Sequence, residues 1–153
     1  MAQHAVRDAS VQEIRVRLVT VVTATFLHSD IMKRLRYMCA QPAITYYAWQ
    51  VEVMLNNFIK NGVPPKDIDV VCAVAEEDTT QWHKLSDKYS DTGFYFYEDS
   101  REDKSYIPSI VPHLLAKHFK RNPDLQNDAI FHFDVDMIFT KPVDWNTYLT
   151  DDI

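Results

Sequence analysis

Glycine is nearly missing from this 153-residue chain, which carries only Gly62 and Gly93. A P-loop or a dinucleotide-binding turn needs two or three glycines in one tight turn, so neither motif is present. Cysteine is equally scarce. Cys39 and Cys72 are separated by 32 residues, with no Cys-x-x-Cys and no partnered His pair. That pattern favours a reducing compartment over a disulfide scaffold or a structural zinc site. Positive charge is short too: 16 Lys and Arg face 22 Asp and Glu, for a net charge of −6 and a pI near 5.4. Binding to a nucleic-acid backbone needs the opposite balance, so no nucleic-acid partner is expected. The small basic clusters (Lys33, Arg34, Arg36 and Lys117, Lys120, Arg121) read as solvated faces. Long apolar runs are also lacking. The stretch Leu18 to Leu27 holds three threonines, and at about ten residues it falls far short of the roughly 20 of a membrane helix. Arg7, Asp8, Glu13, Arg15 and Arg17 interrupt any signal-like segment, so a cytoplasmic location without a membrane segment is expected.

What is present suits a globular domain. Hydrophobic residues make up 46% of the chain and aromatics 12%, enough to bury a sizeable core. The expectation is one α/β domain over residues 1–153, with residues 1–13 as a disordered lead. Strand and helix signals alternate. Arg15 to Thr23 is rich in β-branched residues and predicts the first strand. A polar connection follows through His28 to Gln41. From about Ile44 a long helix is predicted, with Tyr47, Val51, Met54, Phe58 and Ile59 on one side. Asn61-Gly62 offers a left-handed stop, and Pro64-Pro65 forbids continuation. Ile68 to Ala75 is a continuous apolar run, as in a strand covered on both faces. Thr79 or Thr80 can cap a short helix containing Trp82, Leu85 and Tyr89. Gly93 to Tyr97 predicts a third strand, and Glu98 to Lys104 an acidic loop. Ser109 is a candidate N-cap for a helix from Ile110 to about Lys120, with Pro112 tolerated in its first turn. Ala129 to Phe133 predicts a buried fourth strand. This order implies a mainly parallel sheet with flanking helices.

The sharpest chemical feature is Asp134-Val135-Asp136. On an extended chain two carboxylates at i and i+2 point the same way, about 6–7 Å apart. They follow a hydrophobic strand, at the end where open parallel sheets place ligands. Two hard oxygen donors suit Mg²⁺ or Mn²⁺, which also takes substrate phosphates and water. By alternation Ile130 and His132 share their side, while Phe131, Phe133 and Val135 face the other way. Spacing alone is weak: with 16 aspartates in the chain, chance gives about one or two such triplets. Asp67-Ile68-Asp69 is a second one, but it precedes its strand and follows a Pro-Pro turn, so it reads as a solvated turn. His132 is more simply a hydrogen-bonded core residue than a ligand. His113 and His118 are five apart, which is wrong for one helical face. Trp49, Trp82 and Trp145 read as core or edge packing, with Trp145 also near enough to the motif to line a ligand pocket.

The element order and the Asp-x-Asp after the fourth strand resemble the nucleotide-binding half of GT-A glycosyltransferases. More narrowly, the run Asp134-Val135-Asp136-Met137-Ile138-Phe139-Thr140-Lys141-Pro142 resembles the plant hydroxyproline O-arabinosyltransferase and peptidyl-serine galactosyltransferase group. The threonine-rich segment Thr20 to Thr25, and Trp49-Gln50 with Val53-Met54, add to it. The resemblance implies a Rossmann-like GT-A architecture, incomplete at the C-terminus, that binds a nucleotide sugar, such as a UDP-sugar, with Mn²⁺ or Mg²⁺. Asp136 would be the direct metal ligand. Asp134 would contact the donor ribose or sugar, or the metal through water. Thr23 and Thr25 match where that fold holds base and ribose, although both also fit as ordinary strand residues. Arg101 and Lys104 lie in the loop before the helix at Ser109, where they reach phosphate or sugar or are simply solvated. The acceptor would be a hydroxyl on protein or glycan. No catalytic residue is assigned, the tail aspartates Asp144, Asp151 and Asp152 included.

Two other readings stand beside this one. Phosphatases of the haloacid dehalogenase type also end a strand in Asp-x-Asp, with the first Asp as nucleophile. They need downstream elements for which only 17 residues remain after Asp136. A non-catalytic nucleotide-binding α/β module is the third.

Overall fold

The computed structural model describes residues 34–74 and 79–149, the side chain of Asn146 excepted. Four strands, β1 (Leu35–Pro42), β2 (Ile68–Val74), β3 (Gly93–Glu98) and β4 (Ala129–His132), form one sheet in the order β3-β2-β1-β4. Every neighbouring pair is parallel. Three helices connect them: α1 (Thr45–Lys60), α2 (Thr80–Lys88) and α3 (Ile110–Arg121). The fold is α/β, with a parallel sheet and flanking helices, as expected.

The connection expected before α1 is where the sequence reading fails. Residues 35–41, taken as a polar connection, form β1, the central strand. Leu35 to Pro42 shows no alternation because both of its faces are covered, and Arg36 and Gln41, which lend it polarity, are buried. The strand predicted over residues 15–23 lies outside the described residues, as does the disordered lead over residues 1–13. The four consecutive apolar residues Tyr37 to Ala40 are the signal that was available.

Two cores sandwich the sheet. On one face α1 and α2 bury Val51, Met54, Leu55, Phe58, Trp82 and Leu85 against Tyr37, Cys39, Val70 and Cys72. On the other face α3 buries Ile110, Leu114 and Leu115 against Met38, Ala40, Val71 and Ala73. The α1 periodicity holds, with Val51, Met54 and Phe58 inward. Its end is a Schellman turn: Val63 N–H donates to Phe58 O, Gly62 N–H to Ile59 O, and Gly62 takes φ +91°. Trp49 is an exception to the packing expectation, lying exposed on the outer side of α1 with Tyr46 and Val53.

Capping differs from expectation. Neither Thr79 nor Ser109 makes a side-chain cap bond. A 3-10 turn, Ile107–Ser109, precedes α3, and the Ser109 hydroxyl turns back to donate to Tyr106 O at 2.8 Å. The fourth strand is half-buried rather than buried, because β4 is the sheet edge beside β1. Among the described residues no helix is long and apolar enough to cross a membrane.

Candidate functional site

The connections β1-α1-β2 and β2-α2-β3 run over one face, and β3-α3-β4 over the other. Strand order therefore reverses between β1 and β4, and open α/β sheets bind ligands at the carboxyl ends of the strands flanking such a reversal. Met38 pairs with His132, so the chain leaves β4 beside Cys39 and Ala40, and Asp134 and Asp136 emerge at that reversal.

The emergence is a turn rather than an extended continuation. Phe133 N–H still donates to Met38 O at 3.1 Å, but Met137 N–H then closes on Asp134 O at 3.0 Å. The spacing expected for an extended i, i+2 pair therefore does not apply. The alternation does hold as far as Val135. Phe133 and Val135 are buried in the α1-side core and Phe131 packs on it, while Ile130 joins the α3 side. Anchored by these apolar neighbours, Asp134 and Asp136 are left exposed. Among the described residues neither carboxylate takes part in a salt bridge or a side-chain hydrogen bond.

Among the described residues no group of three or more His, Cys, Asp or Glu is placed to hold a metal ion. Among the described residues, Asp134 and Asp136 are the two carboxylates exposed on this turn. That is the donor set of a Mg²⁺ or Mn²⁺ site completed by substrate phosphates and water. His132 does not join them. It is half-buried, its Nε2 is enclosed without a hydrogen-bond partner among the described residues, and burial lowers its pKa against the opposing pull of Asp134. The expected hydrogen-bonded core histidine is therefore unsatisfied at that nitrogen.

The remaining candidates are dispersed. Arg101 follows β3, the far edge strand, three strands from β4. Its Nε and Nη2 donate to the two Asp99 oxygens at 2.9 Å, and its Nη1 to Ser109 Oγ at 2.7 Å. That pairing holds the Asp99 carboxyl well below its ordinary pKa. Lys104 is exposed on the same loop. Thr23 and Thr25 lie outside the described residues; the residues that follow β1 at the mouth are Ala43 and Ile44. Gln41, unnoticed in the sequence, closes the end of β1 with a buried Oε1 that has no partner among the described residues, while its Nε2 donates to Cys72 Sγ at 3.2 Å. Trp145 belongs to the packing of the sheet, its ring 4.8 Å from Phe131 and 5.6 Å from Tyr37.

The second Asp-x-Asp overturns its reading. Asp67 pairs with Arg34, and Asp69 is fully buried, bound through both oxygens to Arg36. His118 Nε2 lies 3.8 Å from Asp69 Oδ2, and its Nδ1 is 2.8 Å from Tyr97 Oη. Burial alone would raise the Asp69 pKa, but His118 and Arg36 outweigh it, so the pKa lies below its ordinary value. Nor is Arg36 part of a solvated basic face, being buried, whereas Arg34 stays exposed while it pairs with Asp67. A cavity of about 270 Å³ opens beside them, lined also by His118 and Arg121, and one of about 40 Å³ lies near Phe139 and Trp145. Neither cavity includes Asp134 or Asp136.

No protein-family model matches this chain, and no curated protein matches it. Among solved structures it is similar to a mannosyltransferase from Pyrobaculum calidifontis in complex with GDP-Man and Mn²⁺. The two are 17% identical with a TM-score of 0.41, and the match covers 70% of this chain and 28% of that one.

Proposed function

We propose that this chain is the donor-binding part of a metal-dependent GT-A glycosyltransferase, one that moves a sugar from a nucleoside diphosphate to a hydroxyl acceptor on protein or glycan. The observation that carries this reading is the placement of Asp134 and Asp136. Both are exposed, and unpaired among the described residues, on a turn packed down by its apolar residues, beside β1, where the strand order reverses. The fold's other Asp-x-Asp is consumed by arginines.

In this reading Asp136 ligates Mn²⁺ or Mg²⁺, and Asp134 contacts the donor ribose or sugar, or the metal through water. When bound, the ion supplies Lewis-acid stabilisation of the charge gathering on the departing diphosphate. With no glycine-rich loop to cradle phosphates, that neutralisation would fall to the ion these carboxylates hold. A UDP-sugar donor and the hydroxyproline O-arabinosyltransferase and peptidyl-serine galactosyltransferase group are the finer expectations, carried by the run from Asp134 to Pro142. Thr23 and Thr25 are proposed for base and ribose. Arg101 and Lys104 reach the donor only if it extends across the mouth toward β3.

Calorimetric titration of UDP and GDP with Mn²⁺, before and after Asp136→Ala, tests the proposal. Metal-dependent binding that disappears in the variant is the expected result, and its absence from the parent protein would sink the reading. Hydrolysis of a phosphate monoester would promote the phosphatase reading instead. Binding of a donor that stays intact with acceptors present would favour the non-catalytic module.

A further inference from the structure

Downstream of the turn, the chain is tied to α1 by one side chain. The Asn57 carboxamide meets the Phe139 peptide on both sides: Phe139 N–H donates to Oδ1 at 2.7 Å, and Nδ2 donates to Phe139 O at 2.9 Å. Asn61 Nδ2 buttresses the pair, donating to Asn57 O at 2.8 Å and reaching Phe139 O at 3.4 Å. The Phe139 ring stacks on Phe58 with centroids 4.3 Å apart. Stacking places the ring, but only the two amide bonds fix how the peptide is turned about it. With Phe133 and Val135 buried upstream, the exposed residues Asp134, Asp136, Met137 and Ile138 are held between two anchors.

We propose that Asn57 is a positioning residue for the carboxylate pair: its clamp on Phe139 sets the downstream end of the turn and so the direction of Asp136. The purpose of that positioning rests on the donor-site reading above; the clamp itself does not. The chemistry is specific to asparagine. Aspartate offers two acceptors and would face Phe139 O with a like dipole, alanine offers nothing, and glutamine is one methylene too long. Asparagine is also a poor choice inside a helix, where its amide competes for backbone partners. Its place in the last turns of α1 is the kind of local conflict that marks positions chosen for another task.

Amide exchange and backbone NMR on the metal-free parent, Asn57→Ala and Asn57→Asp test the clamp, with Mn²⁺ affinity read by electron paramagnetic resonance. Loss of the bonds should speed exchange at Phe139 about tenfold, shift the Asp134 and Asp136 amide resonances, and weaken Mn²⁺ binding several-fold. Leu85→Ala, a destabilising change on α2, should lower the melting temperature while leaving Mn²⁺ affinity of the folded protein unchanged. Unaltered Phe139 exchange and Asp136 resonance in both Asn57 variants would overturn the proposal. So would an equal loss of Mn²⁺ affinity in Leu85→Ala, which would mark the effect as general destabilisation. A parent that binds no Mn²⁺ defeats the donor-site reading alone, and the resonances then decide the clamp.

Discussion

Two Asp-x-Asp triplets stand at opposite ends of one sheet and meet opposite fates. Asp67 and Asp69 open β2 at its N-terminal end, where Arg34 and Arg36 of the neighbouring strand region neutralise both. Asp134 and Asp136 leave β4 at the C-terminal end and have no cationic partner among the described residues. The spacing is identical, so spacing is not the chemistry. What differs is what the neighbouring strand brings alongside. Asp69 sits in register with Gly93, where any side chain would collide: a Cβ would lie 2.7 Å from Asp69 Oδ1. The Tyr95 ring crowds the same spot at 2.6 Å. At the other end neither carboxylate has a salt-bridge or side-chain hydrogen-bond partner among the described residues.

The contrast can be broken most severely at Asp69. Asp69→Ala leaves Arg36 and His118 buried without their counter-charge, and should cost about 3–5 kcal/mol in denaturant unfolding. If the variant unfolds at the parental midpoint, the pair is not a structural anchor.

Acid provides the gentler version. The folded-state pKa of Asp69 is depressed, so its stabilisation is complete above the unfolded value, about 3.9, and is lost as pH falls from there through the folded value. Unfolding midpoints measured downward from about pH 5 should therefore fall, and fall less in a variant lacking the Asp69 carboxyl. Arg34→Ala removes a half-exposed partner of Asp67 and should cost no more than about 1 kcal/mol by the same denaturation assay. Asp136→Ala should be the smallest, within about 0.5 kcal/mol of the parent in stability, although metal-dependent nucleotide binding disappears. A large loss of stability there would mean that the exposed pair is structural, and the contrast between the two triplets would collapse.

Much of the frame was legible. The α1 stripe and the sidedness of Phe131, Phe133 and Val135 follow from periodicity, the Asn61-Gly62 stop from local turn chemistry, and the unbroken apolar run of β2 from burial on both of its faces. The central strand was not. Leu35 to Pro42 carries an arginine and a glutamine inside the sheet, and their burial depends on Asp69 and Cys72, more than 30 residues away. For the same reason Asp67-Ile68-Asp69 looked like a solvated turn: nothing local reveals Arg34 and Arg36. At the candidate site the sequence identified the carboxylates and their strand end, but it implied an extended chain where a turn forms. It also suggested Arg101, whose guanidinium is spent on Asp99 and Ser109. Asn57 carried only a faint signal, an asparagine in a helix.

The residues by themselves determined that this chain makes a parallel α/β domain, that it has no glycine-rich phosphate loop, and that an Asp-x-Asp ends its last strand. Only the tertiary structure decided which of the two acidic pairs is bound by arginines and which is left exposed. Local sequence sets periodicity and turns. The solvation and pairing of a charge depend on neighbours brought in by strand register, and register is settled only when the sheet assembles.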